Sequence, residues 1–194
     1  FHHGTPPGEE RSTLGLGWYG SAIASRWPMT SLPDQWIMSE SPCDLFPHLL
    51  ARATVDIGGR SIEVISAHLP NGSGYGWKKI EHFEALAQAL KRLRGQSVIV
   101  GGDFNEPRYE RPNGRWICWG EDQREDGTWG HWEDWTFQGV RDTGARWDAA
   151  VRSVLADENV GGLVDACRKI KGSSTVETTH VVRGQPRFFD HVLV

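Results

Sequence analysis

Two runs of alternating polarity meet at Gly58-Gly59, and this pattern restricts the fold more than any other stretch of the chain. Ala53, Val55 and Ile57 alternate with Thr54 and Asp56, and Ile62, Val64 and Ser66 alternate with Glu63 and Ile65. A Gly-Gly connection predicts a hairpin with a type I′ turn, because both central residues then need positive φ. The second strand runs into His68-Leu69-Pro70-Asn71-Gly72, where proline and Asn-Gly end it. Over residues 77–94 the period becomes helical. Ile80, Phe83, Leu86, Ala87, Leu90 and Leu93 form one apolar stripe, and Gly95 supplies a stop. Lys78, Lys79, Lys91 and Arg92 fall off the stripe and read as a solvated face. Ser97-Val98-Ile99-Val100 is a short apolar strand of the kind buried on both faces. It ends at Gly101-Gly102-Asp103-Phe104-Asn105.

The remaining signals are weaker. Residues 1–20 read as a loop, Ser21–Ser25 as a small-residue strand and residues 30–47 as irregular. Residues 108–138 show neither period and read as a long loop, of a length that is uncommon unless it is functional. A second helix is predicted over about 143–157, with Thr143 as N-cap and Trp147, Val151, Val154 and Leu155 on its stripe. Leu163–Arg168 is ambiguous, and Arg187–Val194 reads as one strand. At 194 residues, without an internal repeat or a second core, the chain is expected to be one domain, 1–194, with an insertion at about 108–138. Three widely spaced cysteines exclude a disulfide framework or structural zinc ribbon as the organising principle. No apolar run reaches the roughly 18–20 residues of a membrane span. No signal segment is visible.

Candidate chemistry gathers at strand ends, where a rigid sheet fixes a side chain and the loop opens to solvent. Asp103 and Asn105, two apart, leave the same face if the chain is extended. A carboxylate and a carboxamide there can hold a hard cation or orient a water beside a phosphate, although Gly-Gly-Asp and Asn are also ordinary turn residues. His68 reads either as a satisfied half-buried histidine or as an imidazole that stabilises an oxyanion, with Asn71 donating to the same oxygens. Asp190 interrupts the last strand, and His191, its neighbour, faces the other way.

The order of these pieces carries a resemblance. S-A-H-L-P-N-G, an amphipathic helix, G-G-D-F-N, L-V-D-A-C-R and R-F-F-D-H-V-L-V follow one another. The chain thereby resembles the endonuclease/exonuclease/phosphatase superfamily, the deoxyribonuclease I-like fold, over about residues 17 to 194. Gly20–Pro28 is similar to that family's small-residue strand. The resemblance implies an α/β (α+β) class: two packed mixed β-sheets flanked by helices in a four-layer sandwich. It implies metal-assisted hydrolysis of a phosphodiester or phosphomonoester with Mg²⁺ (or Mn²⁺). Asp103 would orient or deprotonate the attacking water, and Asn105 would hold the phosphate or, with Asp103, the metal. His68 and Asn71 would contact the phosphate, and Asp190 would support the histidine or metal.

The family's Q-E and S-D-H motifs have no counterpart in these 194 residues. The expectation is therefore a domain cut at both ends, inactive by itself, from a parent enzyme that works as a monomer. The alternative is a binding module of the same fold that contacts its partner through the Trp-rich loop. Five of the ten Trp lie between Trp116 and Trp135. Trp129 and Trp132 are candidates for stacking on substrate, and a self-packed mini-core within the insertion accounts for the same residues. The 21 Lys+Arg against 25 Asp+Glu tilt the expected substrate away from long duplex DNA, toward a smaller phosphate ester. Arg168 is a further candidate for a substrate phosphate.

Overall fold

The computed structural model describes residues 2–3, 20–33, 50–71, 76–110, 116–132, 135–137, 140–156, 159–172, 179–182 and 185–194. Its centre is a five-stranded sheet. Strands β1 (His2–His3) and β2 (Ala22–Ile23) form a short antiparallel ladder of their own. The main sheet begins with β3 (Met29–Ser31), β4 (Leu50–Ile57) and β5 (Arg60–His68). Helix α1 (Trp77–Leu93) then crosses over to β6 (Val98–Asp103), which runs parallel to β5. The sheet order is β15-β6-β5-β4-β3, with β15 (Asp190–Leu193) antiparallel to β6.

The Gly58-Gly59 hairpin forms as the sequence predicts. Ile57 pairs with Arg60, the two glycines have φ of 62° and 82°, and Asp56 accepts the Gly59 N–H at 2.8 Å. The crossover is fixed by the α1 stripe. Ile80, Phe83, Leu86, Ala87, Leu90 and Leu93 pack on Leu50, Ile65, Ala67, Val98 and Val100 of the sheet. Each fully buried Leu, Ile or Phe contributes about 1.5–3 kcal/mol, so the stripe holds the helix to the sheet. Burial around α1 is wider than the stripe, however. Lys79 and His82 are inside as well, so the solvated-face reading of Lys79 is corrected.

Beyond β6 come six short strands. They are β7 (Tyr109–Glu110), β8 (Trp116–Ile117), β9 (Glu121–Gln123), β10 (Trp129–His131), β11 (Trp135–Phe137) and β12 (Val140–Asp142). They pair as three hairpins, so the long-loop reading of 108–138 is corrected. Ladders of two or three residues are too short to leave a period in the sequence. Helix α2 (Gly144–Leu155) follows, with the Thr143 hydroxyl accepting the Arg146 N–H as its cap. Trp147, Val151, Val154 and Leu155 are buried, and Arg146 forks onto Glu84 of α1 at 2.8 and 2.7 Å. Helix α3 (Ala166–Lys171) is capped by Asp165, which resolves the ambiguous stretch as a β-bridge followed by a helix. The last stretch is not one strand. The β13 (His180–Val182) and β14 (Gln185–Arg187) hairpin precedes β15.

The second face of the sheet meets β1 and β2, where Ile23 packs on Ala51 and Ala53. The chain is thus a mixed α/β unit with a large sheet, a small sheet and flanking helices, in accord with the fold the resemblance implies. Much of the 1–20 loop, the end of the 30–47 stretch and Cys43 lie outside the described residues. Gly102 is where the central strands pass closest. A Cβ there would lie 1.8 Å from the Ala67 carbonyl oxygen, and φ is 144°. Gly102→Ala is therefore expected to lower stability by about 3 kcal/mol through overpacking, read as a fall in the urea midpoint.

Candidate active site

Three strands end side by side. In the parallel β5/β6 ladder His68 is the partner of Asp103, and in the β6/β15 ladder Asp103 is the partner of Asp190. Asp103 therefore has an imidazole on one flank and a second carboxylate on the other. The ladders extend past the named strands, as Leu69 N–H donates to the Asp103 carbonyl and Phe104 N–H to the Phe189 carbonyl, both at 2.8 Å. Behind Asp190, the Thr179 hydroxyl accepts the Phe189 and Asp190 amides at 3.0 and 3.3 Å. His68 Nε2 lies 4.0 Å from Asp103 Oδ2. Burial raises the Asp103 carboxyl above its ordinary value. The Asn105 amide, His68 and Lys79 oppose that rise, and Asp190 reinforces it.

Asn105 reaches this cluster by a different route from the one its spacing suggests. β6 stops at Asp103, Phe104 turns into the core, and Asn105 adopts φ of 54°. The shared-face argument, which needs an extended chain, is corrected. A tight turn joins the two residues instead. Asn105 N–H donates to Asp103 Oδ1 at 2.7 Å, and its Nδ2 donates to the Leu69 carbonyl at 2.9 Å. Asn105 Oδ1 remains as an acceptor. Asn71 is exposed just past the end of β5.

His191 turns inward from β15, opposite in sense to Asp190. Its Nδ1 meets Asp165 Oδ2 at 2.8 Å and its Nε2 the Glu106 carbonyl at 2.9 Å. Burial pushes the Asp165 carboxyl up, but hydrogen bonds from His191 and the Arg168 amide outweigh it and leave the group below its ordinary value.

Beneath the Asp103–Asn105 turn lies a polar cluster that the sequence reading missed. Lys79 and Glu106 are fully buried, with Nζ 3.3 Å from Oε1. Lys79 Nζ also donates to the Asn105 carbonyl at 2.6 Å, and Trp147 Nε1 donates to Glu106 Oε1 at 2.7 Å. Burial lowers Lys79 and raises Glu106, and each partner opposes the other's shift. A Lys followed by an apolar stripe and a Glu after Asn105 were visible in the sequence. Their contact, across 27 positions of chain, was not.

Among the described residues, the insertion packs onto the main core. Trp116, Ile117 and Cys118 are buried, and Trp116 and Cys118 join the main core with Trp119 and Trp132 packed against it. Trp132 stands edge-on to Trp147 at 6.0 Å and donates to the Trp119 carbonyl at 3.0 Å, so it faces the core. Trp129 is half-buried near the Arg108 guanidinium, 5.3 Å from its ring. Arg168 is packed over Trp116 at 4.3 Å and lies 3.7 Å from Asp165. It therefore sits neither on a solvated face nor open to a phosphate. Cys118, Glu121 and Asp148 bring ligand atoms within 4.8 Å of one another, but Glu121 accepts the Cys118 N–H and Arg152 pairs with Asp148.

The sequence matches the Endonuclease/Exonuclease/phosphatase family over residues 1–194. No curated protein matches it. Among solved structures it is similar to the catalytic domain of human Nocturnin with bound sulfate. The identity is 14% and the TM-score 0.38, over 74% of this chain and 39% of that one. The chain therefore spans well under half the length of that structure.

Removing the Asp190 charge favours ionised Asp103. Asp190→Asn is expected to move the Asp103 carboxyl titration to lower pH in metal-free protein, followed by ¹³C NMR. An unchanged or higher midpoint would contradict the coupling.

Proposed function

The chain belongs to the endonuclease/exonuclease/phosphatase family, and from that premise we propose that it is a metal-dependent phosphoesterase centred on Asp103. The observation that carries this reading is the ladder register that sets His68, Asp103 and Asp190 abreast on three adjacent strands. A structural role alone gives no reason for two carboxylates and an imidazole at adjoining strand ends.

Asp103 acts as the base or orienter of the attacking water. Its proton affinity, raised chiefly by burial, suits that role, because a more basic carboxylate takes a proton more readily. The Asn105 amide fixes one carboxylate oxygen and leaves the other toward His68. His68 and Asn71 stabilise negative charge on the phosphoryl oxygens, a role in which placement supplies most of the rate. Burial keeps Asp103 basic, and the Asp190 charge on the next strand adds to that. The donor set fits a hard divalent cation. Asp103 offers a carboxylate strained by a like charge, and the Asn105 carboxamide keeps an oxygen free of its own Leu69 bond. Asp103 and Asn105 would hold Mg²⁺ or Mn²⁺, which supplies charge neutralisation at the phosphate and an acidified water.

Substrate recognition at the rim falls to Trp129 beside Arg108. Trp132, turned into the core, drops out of that role. The mildly acidic chain favours a nucleotide or other small phosphodiester over a long duplex. Among the described residues no helix is long and apolar enough to cross a membrane.

The test is hydrolysis of a chromogenic phosphodiester by the full-length protein. Chelation is expected to abolish turnover, and Mg²⁺ or Mn²⁺ to restore it. Asp103→Ala should lower kcat by about 10³-fold and His68→Ala by about 10²-fold, the scale of general-base and charge-stabilising groups. Undiminished turnover in Asp103→Ala would refute the assignment.

A further inference from the structure

The Trp-rich insertion approaches the candidate centre from behind. Asn105 is the one non-glycine residue with positive φ among the described residues. Asparagine tolerates this left-handed conformation better than other side chains, and here its peptide groups are also held from outside. Its carbonyl oxygen receives two donors at once: Lys79 Nζ at 2.6 Å and Trp119 Nε1 at 3.2 Å. Lys79 comes from the first turn of α1 and Trp119 from the insertion, so separate parts of the fold converge on one peptide group.

Both donors are themselves fixed. Lys79 pairs with Glu106, whose Oε1 also takes the Trp147 indole N–H. The Trp119 carbonyl accepts Trp132 Nε1, and the Arg108 guanidinium lies 5.0 Å from the Trp119 ring. The preceding peptide, Phe104–Asn105, faces the centre, where the Asn105 N–H holds Asp103 Oδ1. A shift at the carbonyl is transmitted through one residue to the carboxylate.

We propose that Trp119 and Lys79 are positioning residues of the centre, and that the insertion braces the Asp103–Asn105 turn from beneath. The inference rests on the phosphoesterase reading of Asp103 and Asn105. Neither positioning side chain touches substrate. Each acts through the Asn105 carbonyl, so the indole N–H of Trp119 matters and its aromatic face is incidental to the role.

Trp119→Phe removes the N–H and keeps a ring in the core. In the full-length protein it should lower kcat roughly three- to tenfold, as expected for one lost hydrogen bond that aligns a reacting group. KM should stay at the wild-type value, Tm should fall by only a few degrees, as one lost hydrogen bond and a smaller ring imply, and the Asn105 backbone amide should exchange faster with solvent. Lys79→Met paired with Glu106→Gln, which strands no buried charge, should lower kcat further in the same direction. Trp27→Phe, at an exposed position, should leave kcat unchanged. Wild-type kcat and Asn105 exchange in Trp119→Phe would overturn the brace. So would a raised KM at unchanged kcat, which would make Trp119 a substrate contact and not a brace. If the wild-type protein hydrolyses no diester, the phosphoesterase reading fails, and Asn105 exchange in Trp119→Phe still decides the brace.

Discussion

Lys79 carries its ammonium into the interior and meets Glu106 there, with neither side chain exposed. Removing two charges from water costs several kcal/mol for each ion, and attraction offsets this only where the remaining lone pairs and protons find partners. Here the Asn105 carbonyl takes the ammonium and the Trp147 indole serves Glu106 Oε1, while Glu106 Oε2 is buried without a hydrogen bond among the described residues, so the offset is partial. The pair joins α1, the turn after β6 and α2. The Glu106 carbonyl adds β15 through His191, whose other nitrogen reaches Asp165 at the cap of α3. Apolar burial supplies most of the stabilisation. The polar cluster is the point at which these elements meet.

That division explains why the centre can sit at the rim and still be rigid. His68 and Asp103 keep 45% and 37% of their side-chain surface in water, as a site open to a ligand requires. Their backbones belong to ladders that continue beyond them, and the residue after each, Leu69 and Phe104, is fully buried. Gly102 removes a side chain where β5 and β6 draw together, since a Cβ there would run into the Ala67 carbonyl. Burial raises the proton affinity of Asp103 first, and Asp190, the next strand's residue at the same level, adds to the rise.

Local signals were legible wherever a segment's structure follows from its own residues. The Gly-Gly hairpin, the α1 stripe, the Thr143 cap and the inward turn of His191 all depend on neighbours within a few positions. The candidate residues were legible as polar interruptions of apolar strands. The insertion was not, because its ladders are too short to impose a period and its tryptophans pack on the main core. Lys79 was misread for a related reason. On a helix a lysine off the apolar stripe is solvated by default, and only a carboxylate from elsewhere in the chain can bring it inside.

By itself the sequence determined the hairpin, the crossover helix, the buried strand and which polar residues stand at strand ends, since periodicity and turn chemistry are short-range. Tertiary structure alone decided that His68, Asp103 and Asp190 lie abreast. It also decided that Asn105 joins them in a left-handed turn and that Lys79, Glu106 and Trp119 support that turn. Register across strands, the pairing of buried charges and the support of the turn depend on contacts between residues 14 to 87 positions apart, for which one strand or helix carries no local trace.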